Sequence, residues 1–155
     1  MRDRGVHTLY WGLGSVVTVL LPGGCTPPER SITGITVENG QPVVLLRTCG
    51  DEAYDFITVS EHRSDSRLSL TPQKAHGATS FPLFQPPAGW SAEGTTPPPL
   101  TDGTSYNISV RTTEPAHSWL SFTPLDISGL NPGQVWAGGR TWAIEEFDRH
   151  VRDQC

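Results

Sequence analysis

What the chain has little of narrows it first. Charged residues make up only 17% of 155, and 11 basic side chains face 16 acidic ones for a net charge of −5. All of the basic residues but Lys74 are arginines, and they form no stripe. A surface that tracks phosphates needs clustered Lys and Arg, so no nucleic-acid partner is expected. The longest apolar run, Thr8 to Leu21, falls short of the roughly 20 residues that cross a bilayer, and Pro22-Gly23-Gly24 closes it. Signatures of familiar chemistry are missing too. There is no G-x-S-x-G elbow, S-x-x-K, H-E-x-x-H or C-x-x-C, and no glycine-rich phosphate loop. His7, His62, His76, His117 and His150 are far apart in sequence and read as solvated loop residues, so neither a metal nor a cofactor is expected. Asp51, Glu52 and Asp55 cluster without a calcium-loop pattern and read as solvated caps at a strand end.

Proline and glycine are what the chain has in excess. The 14 prolines and 16 glycines are about a fifth of the residues, against roughly 12% in average usage, which excludes a long helical bundle. With 5 Trp, 3 Tyr and 5 Phe among short runs of Val, Ile and Leu, wholesale disorder is excluded as well. One loop-rich β domain remains.

The amino terminus reads as an address. Arg2 and Arg4 precede the apolar run, and small residues lead to Cys25, the basic, apolar, small order of a secretory signal. Gly23-Gly24-Cys25 resembles the end of a bacterial lipoprotein signal, although Pro22 stands where such signals usually carry Leu and Leu21 is one step further out. That resemblance implies removal of residues 1–24, lipidation of Cys25, and residues 25–31 as a tether stiffened by Pro27-Pro28. The protein would then be exported and held by its lipid on the outer face of the cytoplasmic membrane. The alternatives are an ordinary secreted protein cut at another site, or a retained amino-terminal anchor. Lipid on Cys25 leaves Cys49 and Cys155, which can close a disulfide outside the cytoplasm around a loop of about a hundred residues.

Residues 32–155 carry the domain. Ile32–Glu38 and Val43–Cys49 are β-branched-rich runs around Asn39-Gly40, the pair that favours a type I′ hairpin turn. Counting back from the turn places Val37 opposite Pro42, Ile35 opposite Val44 and Thr33 opposite Leu46 on the core face. Cys49 falls on the other face with Val43 and Leu45, so a bond to Cys155 would fasten the tail over the outside of a sheet. Further strands are expected at Tyr54–Ser60, Arg67–Leu70, Thr79–Phe84, Tyr106–Thr112, Trp119–Thr123 and Gln134–Ala137. Residues Gln85–Pro99 read as a proline-rich surface excursion anchored by Trp90. Ile144, Phe147 and Val151 line one face of a terminal helix. About seven strands and a short C-terminal helix point to an all-β, immunoglobulin-like β-sandwich. The segment from Leu100 to Tyr106 resembles the tyrosine corner of fibronectin type III and immunoglobulin-like domains. That implies a buried Tyr106 whose hydroxyl bonds backbone near Asp102 or Gly103. Through its signal, the hairpin ITVENGQPVVLLRTC and the tail LNPGQVW…EEFD, the chain also resembles small uncharacterised lipoproteins of actinobacteria, which implies a location rather than an activity.

For function, the reading is a non-enzymatic binding or structural module of the cell envelope. The alternatives are a carbohydrate-binding module with exposed tryptophans, or a small envelope enzyme whose site is assembled from distant residues. Expected partners are the membrane, through the lipid anchor, and an envelope protein or glycan. Trp119 and Trp136 are expected in the core, while Trp90 is divided between pinning its loop and touching a ligand.

Overall fold

The Asn39-Gly40 turn organises the first sheet. Both residues have positive φ, 51° and 77°, the type I′ geometry whose twist matches that of the flanking strands. The structure is a computed structural model that describes residues 33–49, 53–73, 79–97, 99–113 and 117–154. The signal, Cys25, the tether, Asp51, Glu52, Lys74, His76 and Cys155 lie outside those residues. Strands β1 (Thr33–Glu38) and β2 (Gln41–Leu46) pair with Val37 opposite Pro42, Ile35 opposite Val44 and Thr33 opposite Leu46. The free edge of β2 takes β5 (Ser80–Pro82), Phe81 lying opposite Val44. Proline at the end of this short edge strand removes no ladder bond that the sheet needs. The other edge of β1 takes β9 (Gln134–Ala137), which turns through Gly138-Gly139 into β10 (Arg140–Ala143). The order is β10-β9-β1-β2-β5.

The second sheet has the order β6-β4-β3-β7-β8, built from β3 (Tyr54–Glu61), β4 (Arg67–Pro72), β6 (Trp90–Gly94), β7 (Tyr106–Thr112) and β8 (His117–Phe122). Every pairing in both sheets is antiparallel. In β7 and β8 the side chains alternate in and out. Tyr106, Ile108, Val110, Leu120 and Phe122 are buried in the same core as Ile35, Val44 and Leu46 of the first sheet. The result is a β-sandwich.

Ten strands are present among the described residues rather than about seven. The strands that the sequence reading did not place are β6 and β10. The composition Trp-Ser-Ala-Glu-Gly has little β propensity, and β6 forms because Trp90 is buried while the backbone of β4 supplies a ladder. The β9–β10 hairpin was signalled by Gly138 and Gly139, whose φ values of 58° and 76° suit a two-residue turn. A short helix α1 (Pro124–Ser128) is also present, its end closed by a capping box between Thr123 and Asp126.

Helix α2 (Ile144–Gln154) buries Phe147 and Val151. It lies over the outer face of the first sheet at Gly34, where an added Cβ would overlap Val135 Cγ1 and come within 3.3 Å of Phe147 Cζ. Arg47 Nε, just beyond β2, donates to Asp148 Oδ1 at 2.7 Å and ties the helix to the hairpin. Val43 and Leu45, which face away from the sandwich core, are accordingly buried as well.

Candidate functional site

Nothing comparable covers the second sheet among the described residues, and its outer face is where side chains with binding chemistry collect. The registers align that face in rows. Arg67 of β4 lies opposite Ser60, which lies opposite Asn107 and then Ser121; in the next row Ser69 leads to Thr58, Ser109 and Trp119. A third row sets Phe56 beside Arg111 and His117. Small side chains, Thr58, Ser60 and Ser109, occupy the centre, whereas Arg67, Trp119, His117 and Phe56 stand around them. That size pattern hollows an otherwise flat sheet into a trough of about 350 Å³.

Trp119 forms one wall and is 67% exposed. Its Nε1 donates to Ser121 Oγ at 2.8 Å, and that hydroxyl donates to Asn107 Oδ1 at 2.7 Å. The relay fixes the ring in spite of its exposure. Arg111 pairs with Asp55 at 2.7 Å and stands 5.4 Å from the centroid of Phe56. Asp55 is thus engaged by an arginine. The surface can stack a flat apolar face on the indole and offer hydroxyls, an amide and one further guanidinium, Arg67, to a polar edge.

The placement of Trp119 corrects its assignment to the core. Leu120 and Phe122 point inward, so strand alternation turns Trp119 outward. Trp136 is only half-buried at the rim of the core, its Nε1 donating to Ser121 O at 3.4 Å. Trp90 is 8% exposed and packed in the core, where it offers no open ring face to a ligand. Tyr106 is fully buried; its hydroxyl donates to Pro99 O at 3.3 Å and accepts from Thr101 N at 3.2 Å. These bonds fall upstream of Asp102 and Gly103, because Leu100, packed against the core, draws Pro99 and Thr101 over the ring. Phe122 stacks at 5.7 Å and Phe84 meets the ring edge at 6.0 Å. Cys49 is half-buried just past β2.

Other concavities lie among the described residues. An apolar cleft of about 300 Å³ lies between Pro42, Leu83, Phe84 and Leu100 at one end of the sandwich. A polar groove runs along β10 and α2, where Trp142 is stacked by the Arg140 guanidinium at 3.5 Å and by the His150 ring at 4.6 Å. Among the described residues no three His, Cys, Asp or Glu side chains gather as a metal site. No family model, curated protein or solved structure matches the chain.

Sequence reasoning missed the trough as a unit. Its signal was present in the outward half of each alternating strand, Asn107 and Ser109 in β7 and Trp119 and Ser121 in β8, but only the registers bring these residues together.

Proposed function

We propose that the protein is an exported, lipid-anchored binding module of the cell envelope, not an enzyme, and that the outer face of its second sheet is the binding surface. A single observation carries the reading: Trp119, an aromatic side chain 67% exposed, stands on that face, held by hydrogen bonds beside a floor of small polar residues. Surface strand positions tolerate almost any polar residue, and an immobilised, exposed indole is the kind of anchor on which interfaces are built.

The anchor belongs to the same reading. Residues 1–24 act as the signal, Cys25 takes the lipid, and the tether enters the first sheet at β1, leaving the trough on the other layer of the sandwich. The proposed disulfide joins Cys49 to Cys155. In support, the Arg47–Asp148 bond holds α2 alongside the chain that leads to Cys49. The hydrogen-bonded Tyr106 supports an immunoglobulin-like assignment of the sandwich, and the lipoproteins of actinobacteria remain the natural setting.

The test is sedimentation of the full-length protein, its lipid kept in detergent micelles, with cell envelopes stripped of membrane by detergent extraction, so that the anchor itself cannot bring the protein down. Trp119→Ala should abolish co-sedimentation while thermal melting stays unchanged, since the ring is exposed. Equal sedimentation of variant and wild type would defeat the assignment of this face. Intact mass should show a lipidated Cys25, and a soluble mature chain beginning elsewhere would defeat the anchor.

A further inference from the structure

Building on the binding face proposed above, we infer that the trough takes a neutral glycan chain, with one pyranose ring stacked on Trp119 and its hydroxyls bonded by the floor. Three observations select this chemistry. The floor is uncharged, and no hydrogen bond ties the hydroxyls of Thr58, Ser60 or Ser109 to another described residue. Asn107 accepts through Oδ1 from Ser121, which orients the amide and leaves its Nδ2 to donate to a ligand. These groups want a partner with closely spaced hydroxyls that can both donate and accept. The wall wants an apolar face, because the Trp119 Nε1 donor is already satisfied and only the ring surface is left. A pyranose has both, hydroxyls at its edge and C–H groups on its face.

Charge separates neutral from acidic chains. The Arg111 guanidinium is spent on Asp55. Arg67 is balanced along the same edge by Glu93, which the register places opposite Ser69. Together with a net charge of −5, the face offers no cationic field for a polyanion. Its size suits a chain: three strand spacings from Arg67 to the Trp119 strand are roughly 14 Å, and the run from Phe56 to Ser60 about 13 Å.

The experiment titrates the full-length protein with cellohexaose, maltohexaose, chitohexaose and an oligogalacturonate by calorimetry, with tryptophan emission of the wild type followed in parallel. At least one neutral hexasaccharide should bind saturably and shift the emission. Trp119→Ala should weaken that binding by about tenfold or more, as loss of a central aromatic anchor does, and Ser109→Leu, which fills the floor directly beside the ring, should do the same. Arg67→Ala should change it less than about threefold, in line with a rim charge. Binding of the acidic oligomer alone, binding of none of the four, or binding indifferent to both Trp119→Ala and Ser109→Leu would overturn the inference. Competition by the same hexasaccharides separates the two levels. If Trp119-dependent sedimentation is unchanged by an excess of every neutral hexasaccharide, the trough binds something other than such a glycan and only the glycan inference falls; if sedimentation never depended on Trp119, the binding face itself is wrong.

Discussion

Replacing Gly34 with alanine tests why one sheet face is closed and the other open. The backbone of Gly34 needs no special conformation, and in a strand interior alanine should by itself be favourable by roughly 0.5–1 kcal/mol. Against that, the new Cβ overlaps Val135 Cγ1 and sits 3.3 Å from Phe147 Cζ, both fully buried side chains. Overpacking of this kind costs about 1–3 kcal/mol, so Gly34→Ala should destabilise the protein by a net ~0.5–2 kcal/mol. Val135→Ala removes two buried methyl groups and should cost about 2 kcal/mol from lost burial and the cavity left behind. The two changes are complementary in space, so the double variant should be more stable than additivity predicts by about 1–2 kcal/mol. Equilibrium urea unfolding of the four proteins under oxidising conditions, with m held as a check on two-state behaviour, measures all three numbers. A Gly34→Ala protein as stable as wild type, or a double variant additive within about 0.5 kcal/mol, would mean that α2 does not press on this strand.

Other perturbations probe the remaining contacts. Tyr106→Phe keeps the stacking on Phe122 and Phe84 but leaves Pro99 O and Thr101 N without their partner, and should cost about 1–3 kcal/mol in the same unfolding assay; no change would show the hydroxyl to be dispensable. Cys155→Ser should lower stability by about 2–5 kcal/mol in the oxidised protein, and non-reducing peptide maps should join Cys49 to Cys155, an outcome that free thiols at both positions would refute. Asp148→Asn should cost about 1 kcal/mol by loosening the partly buried bond to Arg47. A larger loss on Arg47→Ala is expected because its Nη1 also donates to Leu46 O at 3.0 Å. Equal effects from both substitutions would reduce the contact to the ion pair alone.

Local chemistry made the first hairpin legible down to its register, because Asn39-Gly40 admits few turn geometries and a period of two then fixes every partner. The terminal helix was legible for a similar reason, since Ile144, Phe147 and Val151, at i, i+3 and i+7, share a face on a helix but not on a strand. Strand β6 was not, because Trp-Ser-Ala-Glu-Gly between prolines becomes a strand only when β4 offers its edge. Such tertiary selection leaves no periodic trace in five residues. The trough fails the same way one level up. Each outward Ser, Thr or Asn looks like ordinary strand polarity, and its meaning comes from a neighbour two strands away. Trp119 is different, for the inward Leu120 and Phe122 already dictated its direction, and a preference for burying large aromatics overrode the period.

The two sheet faces therefore carry opposite solutions to one problem. A two-layer sandwich buries its inner faces and must do something with the outer ones. On the first sheet the outward positions are apolar, Val43, Leu45 and Val135, and Gly34 is small enough to let Phe147 descend onto them, so a helix seals the face. On the second sheet most outward positions are Ser, Thr, Asn and Arg, which water satisfies without a cover, and Phe56 lies beneath the Arg111 guanidinium. Had solubility been the only demand there, β8, the outermost strand of its sheet, would carry a lysine or glutamate at position 119, as exposed edges ordinarily do. A tryptophan at that position presents an aromatic face to solvent, a liability for a free protein. The Ser121–Asn107 relay does nothing to hide the ring and serves only to hold its plane. An oriented ring that stays exposed fits the binding role proposed for this face, and a neighbouring floor of hydroxyls unpaired among the described residues fits a ligand with closely spaced polar groups.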